Sequence, residues 1–228
     1  MNTRPCWICS APADSAEHMV KASDFRSVFG VVNQNAPVFR HSSAERNFKI
    51  NGAKAEVLKF RPSLCTNCNN ARTQPHDRAW EALASAVRSH HPPLKQGLPL
   101  PIPAAFGGSA KGSMLNVHLY FLKLLGCYAV EYKVPLPLRT LAVAILGNYP
   151  HPNVYLHFVS ILSSAGKSEI IVGNIKAVNR GPHSVAATWF YIVGTIGVHL
   201  TYYEPGHPRL HKSLGWHPDD HGLDLRLR

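Results

Sequence analysis

The sequence lacks an uninterrupted apolar run of the length that a membrane span requires. Crossing a bilayer takes about 20 consecutive apolar residues. The most apolar stretch, residues 185–200, is shorter and contains Gly194 and Gly197. Its many β-branched and aromatic residues favour extended structure. We therefore expect two buried strands here and no membrane partner.

The beginning of the chain also lacks the basic and then apolar order of residues that marks a secretory signal peptide. Export is therefore not expected, and we predict a cytoplasmic location. Thiols stay reduced in that compartment. The five cysteines are accordingly expected to be free or bound to metal.

Acidic residues are scarce. The chain has 13 Asp and Glu against 24 Lys and Arg, a net charge of +11 and a pI near 9.6. Such a charge favours a nucleic-acid partner, because basic side chains release counterions from phosphates. The Lys and Arg residues are scattered, however, and composition alone agrees equally well with a solvated basic surface.

A proline- and glycine-rich stretch interrupts the chain after about ninety residues. Proline cannot continue a helix, because it lacks the amide donor and clashes with the preceding turn. With 228 residues the chain also exceeds the usual size of one domain. We therefore predict a first domain at 1–92, a linker at 93–112 and a second domain at 113–228, with a tail rich in His and Pro.

Hydrophobic periodicity predicts an α+β fold. Residues 77–89 show helical spacing, residues 17–20 and 56–60 are typical of short strands, and 31–51 of a long polar loop. The second domain is predicted to hold two helices, 115–132 and 138–146. Four strands with tight turns between them favour an antiparallel sheet: 154–162, 169–178, 185–193 and 196–203.

Four cysteines form two Cys-x-x-Cys pairs, Cys6 with Cys9 and Cys65 with Cys68. Two intervening residues let both sulfurs of a pair face one metal, and two pairs complete the tetrahedral shell that Zn²⁺ prefers. Four protein ligands leave no open position for water. The sequence therefore predicts a structural zinc that takes no part in chemistry.

The combination of these pairs with Glu17-His18 and with Asn69 directly after Cys68 resembles the HNH endonucleases of the ββα-metal type. In that family a zinc knuckle precedes an acidic residue and histidine on a strand, and a second knuckle opens a helix. The resemblance covers about a third of the chain. It implies a zinc-stapled ββα-metal domain at the N-terminus.

The resemblance also implies roles for individual residues. His18 would be the general base, and Glu17 and Asn69 would hold a catalytic Mg²⁺ or Mn²⁺. His76, with Asp77 beside it, is a second-ranked metal ligand. The basic residues expected to contact the nucleic acid near this metal are Arg72 and Arg78, for which a solvated helix face is an equal alternative.

The chain departs from the family pattern at the middle asparagine, which has no counterpart before Cys65. Asn47 and Asn51, in the preceding loop, are the candidates to replace it. The predicted function is a metal-dependent endonuclease, for which DNA is favoured over RNA as the substrate because HNH domains mostly cut DNA; the residues themselves do not exclude RNA. The alternative is a non-catalytic zinc module that binds nucleic acid or protein. The second domain is open to a regulatory ligand or partner.

Overall fold

The computed structural model describes residues 4–42, 45–160, 169–207, 215–220, 223 and 225–228. Within these ranges the fold is α+β, as predicted, with five α-helices and two sheets. The helices are α1 (Ala22–Phe29), α2 (Gln74–Arg88), α3 (Ile102–Phe106), α4 (Ala110–Tyr132) and α5 (Leu138–Gly147). The strands are β1 (Val38–Arg40), β2 (Phe48–Ile50), β3 (Val154–Ser160), β4 (Ile170–Val172), β5 (Lys176–Arg180), β6 (His183–Val193) and β7 (Ile196–Tyr203).

The two strands predicted before α2 are reduced to a short antiparallel pairing. Only the residue pairs Ser15–Leu64 and His18–Lys59 form bridges, and Glu56–Leu58 is a 3-10 turn. A π-helical turn, Cys68–Arg72, then leads into α2. The order of two extended segments followed by a helix is therefore present.

The prediction of a long polar loop at 31–51 is wrong in part, because β1 and β2 pair in an antiparallel hairpin there. Ile50 anchors the hairpin in a small hydrophobic cluster with Phe25 of α1.

Helix α1 was not predicted. It is held by the buried Asp24 carboxylate, which accepts hydrogen bonds from Trp80 Nε1 at 2.7 Å and Tyr191 Oη at 2.9 Å. These partners are far away in sequence, so local patterns could not reveal them.

Helix α4 is the centre of the hydrophobic core. The Trp80 ring of α2 packs on two of its rings, with centroid distances of 5.8 Å to Tyr120 and 4.9 Å to Phe121. Trp7, between the first two cysteines, lies so close to Gly126 that a Cβ there would come within 2.3 Å of the indole. The first cysteine pair, α2 and α4 therefore share one core.

The helical stretch Ile102–Tyr132 is long and apolar enough to cross a membrane by length and composition. However, 78% of its apolar window is buried inside the protein. Its apolar surface is therefore already covered by other elements of the fold. The described residues hold no other helix that meets these criteria.

In the larger sheet, β7 lies between β3 and β6. The other edge of β6 pairs with both β4 and β5, and all of these pairings are antiparallel. The strand predicted at 169–178 is thus two strands. Residues 185–200 form most of β6 and β7, which confirms the two strands expected there. The end of the chain returns to this sheet, where Trp216 pairs with Leu156.

The predicted linker contains structure. Helix α3 and the start of α4 lie within 93–112, and Leu94, Leu100 and Ile102 are buried. One hydrophobic cluster includes residues from both sides of this segment. The division into 1–92 and 113–228 stays a prediction, for which the shared core supplies a test.

Candidate functional site

The four paired cysteines converge as the sequence predicts. The sulfurs of Cys6, Cys9, Cys65 and Cys68 all lie within 4.8 Å of one another, and all four are free of disulfides. A tetrahedral zinc with Zn–S bonds of about 2.3 Å places its sulfurs about 3.8 Å apart. Cys9 Sγ and Cys65 Sγ are 3.5 Å apart. The cluster is therefore of the size that can hold a zinc ion.

The chemistry of these thiols also favours a cation. Burial raises the pKa of Cys68, and hydrogen bonds with the neighbouring Cys9 and Cys65 thiols raise it further. A metal at the centre of the cluster supplies the positive charge that thiolates require. In the described part of the chain, no other group of three His, Cys, Asp or Glu residues brings its ligand atoms this close.

His18 lies in the short pairing that precedes α2. Its main-chain N–H donates to Glu17 Oε1 at 3.0 Å, and its imidazole is half-buried. Nε2 is buried and has no hydrogen-bond partner among the described residues. Burial lowers the pKa of His18, the Glu17 carboxylate opposes this shift, and Lys59 adds to it. The ring is therefore neutral at physiological pH, with one nitrogen unengaged.

Asn69 joins the beginning of the π-helical turn to the segment that carries His18. Its Nδ2 donates to Ser15 Oγ at 2.8 Å and to Ala16 O at 3.3 Å. Oδ1 is buried and has no partner among the described residues. A buried amide oxygen without a donor is the kind of group that a hard cation can satisfy. Asn69 thus fits the ligand role that the resemblance implies.

Glu17 fits that role only in part. Its Oε2 lies 2.8 Å from Nζ of Lys123, whose side chain is fully buried, and its Oε1 accepts from a main-chain amide. The same Nζ lies 2.8 and 3.0 Å from the two Asp77 oxygens. Lys21 Nζ is 3.2 Å from Asp77 Oδ1. Lys21 Nζ also lies 3.5 Å from Glu81 Oε1, so three carboxylates face two ammonium groups. Because Lys123 already pairs with Glu17 Oε2, a divalent ion must compete with Lys123 for Glu17.

His76 is turned toward α4. Its Nδ1 lies 2.8 Å from Asn116 Oδ1, whereas its neighbour Asp77 joins Glu17 on Lys123. Burial lowers the pKa of His76, against the hydrogen bond with Asn116, which raises it. Arg72 lies in the π-helical turn and Arg78 in α2, and both are exposed.

Of the candidates for the middle asparagine, Asn47 directly precedes β2 and Asn51 directly follows it, and both are exposed. Asn47 N–H donates to His41 Nδ1 at 3.3 Å, a contact within the hairpin. Among the described residues, no hydrogen bond joins Asn47 or Asn51 to His18, whose backbone pairs with that of Lys59.

Sequence reasoning missed Lys123. It is the single charged residue in the buried run of α4 from Met114 to Ala129. A lysine in such a position needs a buried counter-charge, because an unpaired ammonium is strongly disfavoured away from water. That signal indicates an ion pair, but it does not say which carboxylates provide it.

The comparisons with protein-family models, with curated proteins and with solved structures each found no match. The resemblance to HNH endonucleases therefore rests on the sequence motif alone.

Proposed function

We propose that the protein is a zinc-stapled, metal-dependent endonuclease that hydrolyses phosphodiester bonds, with DNA as the substrate. The observation that supports the proposal most is the presence of two unengaged buried atoms on the motif residues. His18 Nε2 and Asn69 Oδ1 lack partners among the described residues, and hydrogen bonds from Asn69 tie its turn to the segment that leads into His18.

In this proposal the structural zinc sits among the four cysteines and stabilises the turn that presents Asn69. His18 Nε2 accepts a proton from the attacking water, which forms a bond to phosphorus as the bond to the leaving oxygen breaks. Asn69 Oδ1 and a Glu17 oxygen would hold Mg²⁺ or Mn²⁺, which supplies positive charge against the phosphate. Arg72 and Arg78 would contact phosphates on either side.

The test is cleavage of supercoiled plasmid, single-stranded DNA and RNA in Mg²⁺ or Mn²⁺. His18→Ala is expected to lower the cleavage rate by about 10²- to 10⁴-fold, the usual contribution of a general base. Zinc content and DNA affinity should stay unchanged, because affinity comes mainly from Lys and Arg contacts with phosphates. His183→Ala, an exposed histidine at the start of β6, is the matched control and should cut like the wild type.

The Lys123–Glu17 ion pair favours a second candidate, a non-catalytic zinc module that binds nucleic acid. If Lys123 keeps Glu17 from a divalent metal, the protein should bind DNA without cutting it. Binding without metal-dependent cleavage of any of the three substrates, or normal cutting by His18→Ala, would reject the nuclease and support this candidate.

A further inference from the structure

A surface depression of about 300 Å³ lies where α2, α4 and α5 meet. Its volume is at the lower end of the range of small-molecule sites. The residues that matter for its chemistry are Arg72, His76, Asn116, Ile145, Leu146 and Asn148. Arg72 ends the π-helical turn that begins at Cys68 and contains Asn69, so the depression adjoins the turn that carries this proposed metal ligand.

His76 gives the depression an unsatisfied acceptor. Only 3% of the surface of His76 is exposed. Nδ1 donates its proton to Asn116 Oδ1, 2.8 Å away, so Nε2 carries the lone pair of the neutral ring. That Nε2 is buried and has no partner among the described residues. A buried acceptor in a binding wall calls for a ligand that donates a hydrogen bond.

The other walls supply three further kinds of contact. Leu146, 42% exposed, presents apolar surface near the end of α5, and the buried Ile145 borders it. Asn148 follows them in a left-handed backbone conformation and is exposed, with an amide that can donate and accept. Arg72 is an exposed cation that no described ion pair neutralises. The depression thus combines an apolar wall, neutral polar groups and a positive charge.

We propose that this depression binds one nucleotide. The flat, apolar faces of a base suit the exposed Leu146, and its edge, which carries both donors and acceptors, suits His76 Nε2 and Asn148. The phosphate is then directed to Arg72. A sulfate-like anion alone would leave the apolar wall unused, and a purely apolar ligand would leave His76 and Arg72 unused.

The inference deepens the proposed function, on which it rests for the choice of nucleic acid as the partner. The same chemistry has two sources: an unstacked base within a single strand, or a free mononucleotide. A base within a strand would place the adjoining phosphates toward the Asn69 turn.

The experiment measures binding in the His18→Ala background, so that cleavage does not enter. The probes are fluorescent single-stranded oligonucleotides, followed by anisotropy, and adenosine and uridine 5′-monophosphate, followed by calorimetry. Leu146→Trp fills the depression with an indole and should weaken binding by about tenfold or more, since stacking and pocket contacts are worth that much per base. Val143→Trp adds the same indole at another exposed position of α5 and should leave the affinity unchanged.

Asn148→Gly is a second variant that preserves the left-handed backbone and removes only the amide. It should weaken binding by about three- to tenfold, the effect of one lost hydrogen bond. Weaker oligonucleotide binding identifies a base in a strand, and weaker mononucleotide binding identifies a free nucleotide. If Leu146→Trp binds both probes as Val143→Trp does, the proposal is wrong. That outcome does not bear on whether His18 is needed for cleavage. A failure to detect cleavage would likewise not change the measured affinity of the depression for nucleotides.

Discussion

Glu17 Oε2 lies 2.8 Å from Nζ of Lys123, and this ion pair joins the motif segment to the central helix α4. Burial disfavours the Lys123 ammonium, but Glu17 and Asp77 outweigh that effect and raise the pKa of Lys123. The lysine is therefore charged at all physiological pH values. Its position decides how available Glu17 is to a metal and how tightly the two halves of the core are joined.

Lys123→Met should lower the free energy of unfolding by about 3–5 kcal/mol, because it leaves buried carboxylates without their partner. Urea denaturation measures the loss. Lys111→Met, at an exposed position near the start of the same helix, is the control and should change stability little. The double variant Glu17→Gln with Lys123→Met should lose less than the sum of the single losses, because the two residues interact. Additive losses would contradict the ion pair.

Cys65→Ser should remove the metal and unfold the region around the cysteine cluster. Zinc binding supplies on the order of 10 kcal/mol in small zinc modules, and three thiolates hold the ion less well than four. Plasma mass spectrometry should find one zinc per wild-type chain and much less in the variant. Cys127→Ala, a buried cysteine of α4 outside the cluster, should retain the metal. Full zinc in Cys65→Ser would reject the four-cysteine site.

The buried histidines predict acid sensitivity. His151 is buried, with Nε2 2.8 Å from Thr140 Oγ1, and burial together with His217 lowers its pKa to about 4. Its unfolded pKa is about 6.5. Below pH 6.5 the unfolded chain binds a proton that the folded chain refuses, so stability falls as the pH drops toward 4. Burial also lowers the pKa of His118, so this histidine likewise reduces stability as the pH falls.

The free energy of unfolding should therefore decrease between pH 7.5 and 5.5, by about 1.4 kcal/mol from His151 alone. Urea titrations at the two pH values measure this difference. His151→Gln should reduce the difference by about that amount, whereas the exposed His183→Ala should not. An unchanged pH dependence in His151→Gln would show that this residue is not the acid-sensitive group.

A fragment that begins at Lys111 tests the predicted domain boundary. A true linker would let 111–228 fold alone, but the structure packs Trp80 of α2 on Tyr120 and Phe121 of α4. Removing α2 exposes these rings and leaves Lys123 unpaired. We therefore expect the fragment to aggregate, and light scattering with circular dichroism measures this. A monomeric fragment with a cooperative unfolding transition would support two domains.

Local patterns in the sequence predicted much of this fold. The two cysteine pairs, the helical spacing in α2 and the strands β6 and β7 each depend on neighbours a few residues apart, so their signal survives without tertiary context. The β1–β2 hairpin and α1 escaped prediction, because long-range partners such as Ile50 with Phe25 hold them in place.

The candidate site divides in the same way. The sequence by itself determined that His18, Glu17 and Asn69 accompany a four-cysteine cluster, since these residues lie beside the cysteines in a recognisable order. Only the tertiary structure decided that Lys123 pairs with Glu17 and Asp77, and that His76 turns to Asn116. An isolated lysine in an apolar helix requires a counter-charge, but which carboxylates supply it depends on how α4 packs against the rest of the chain.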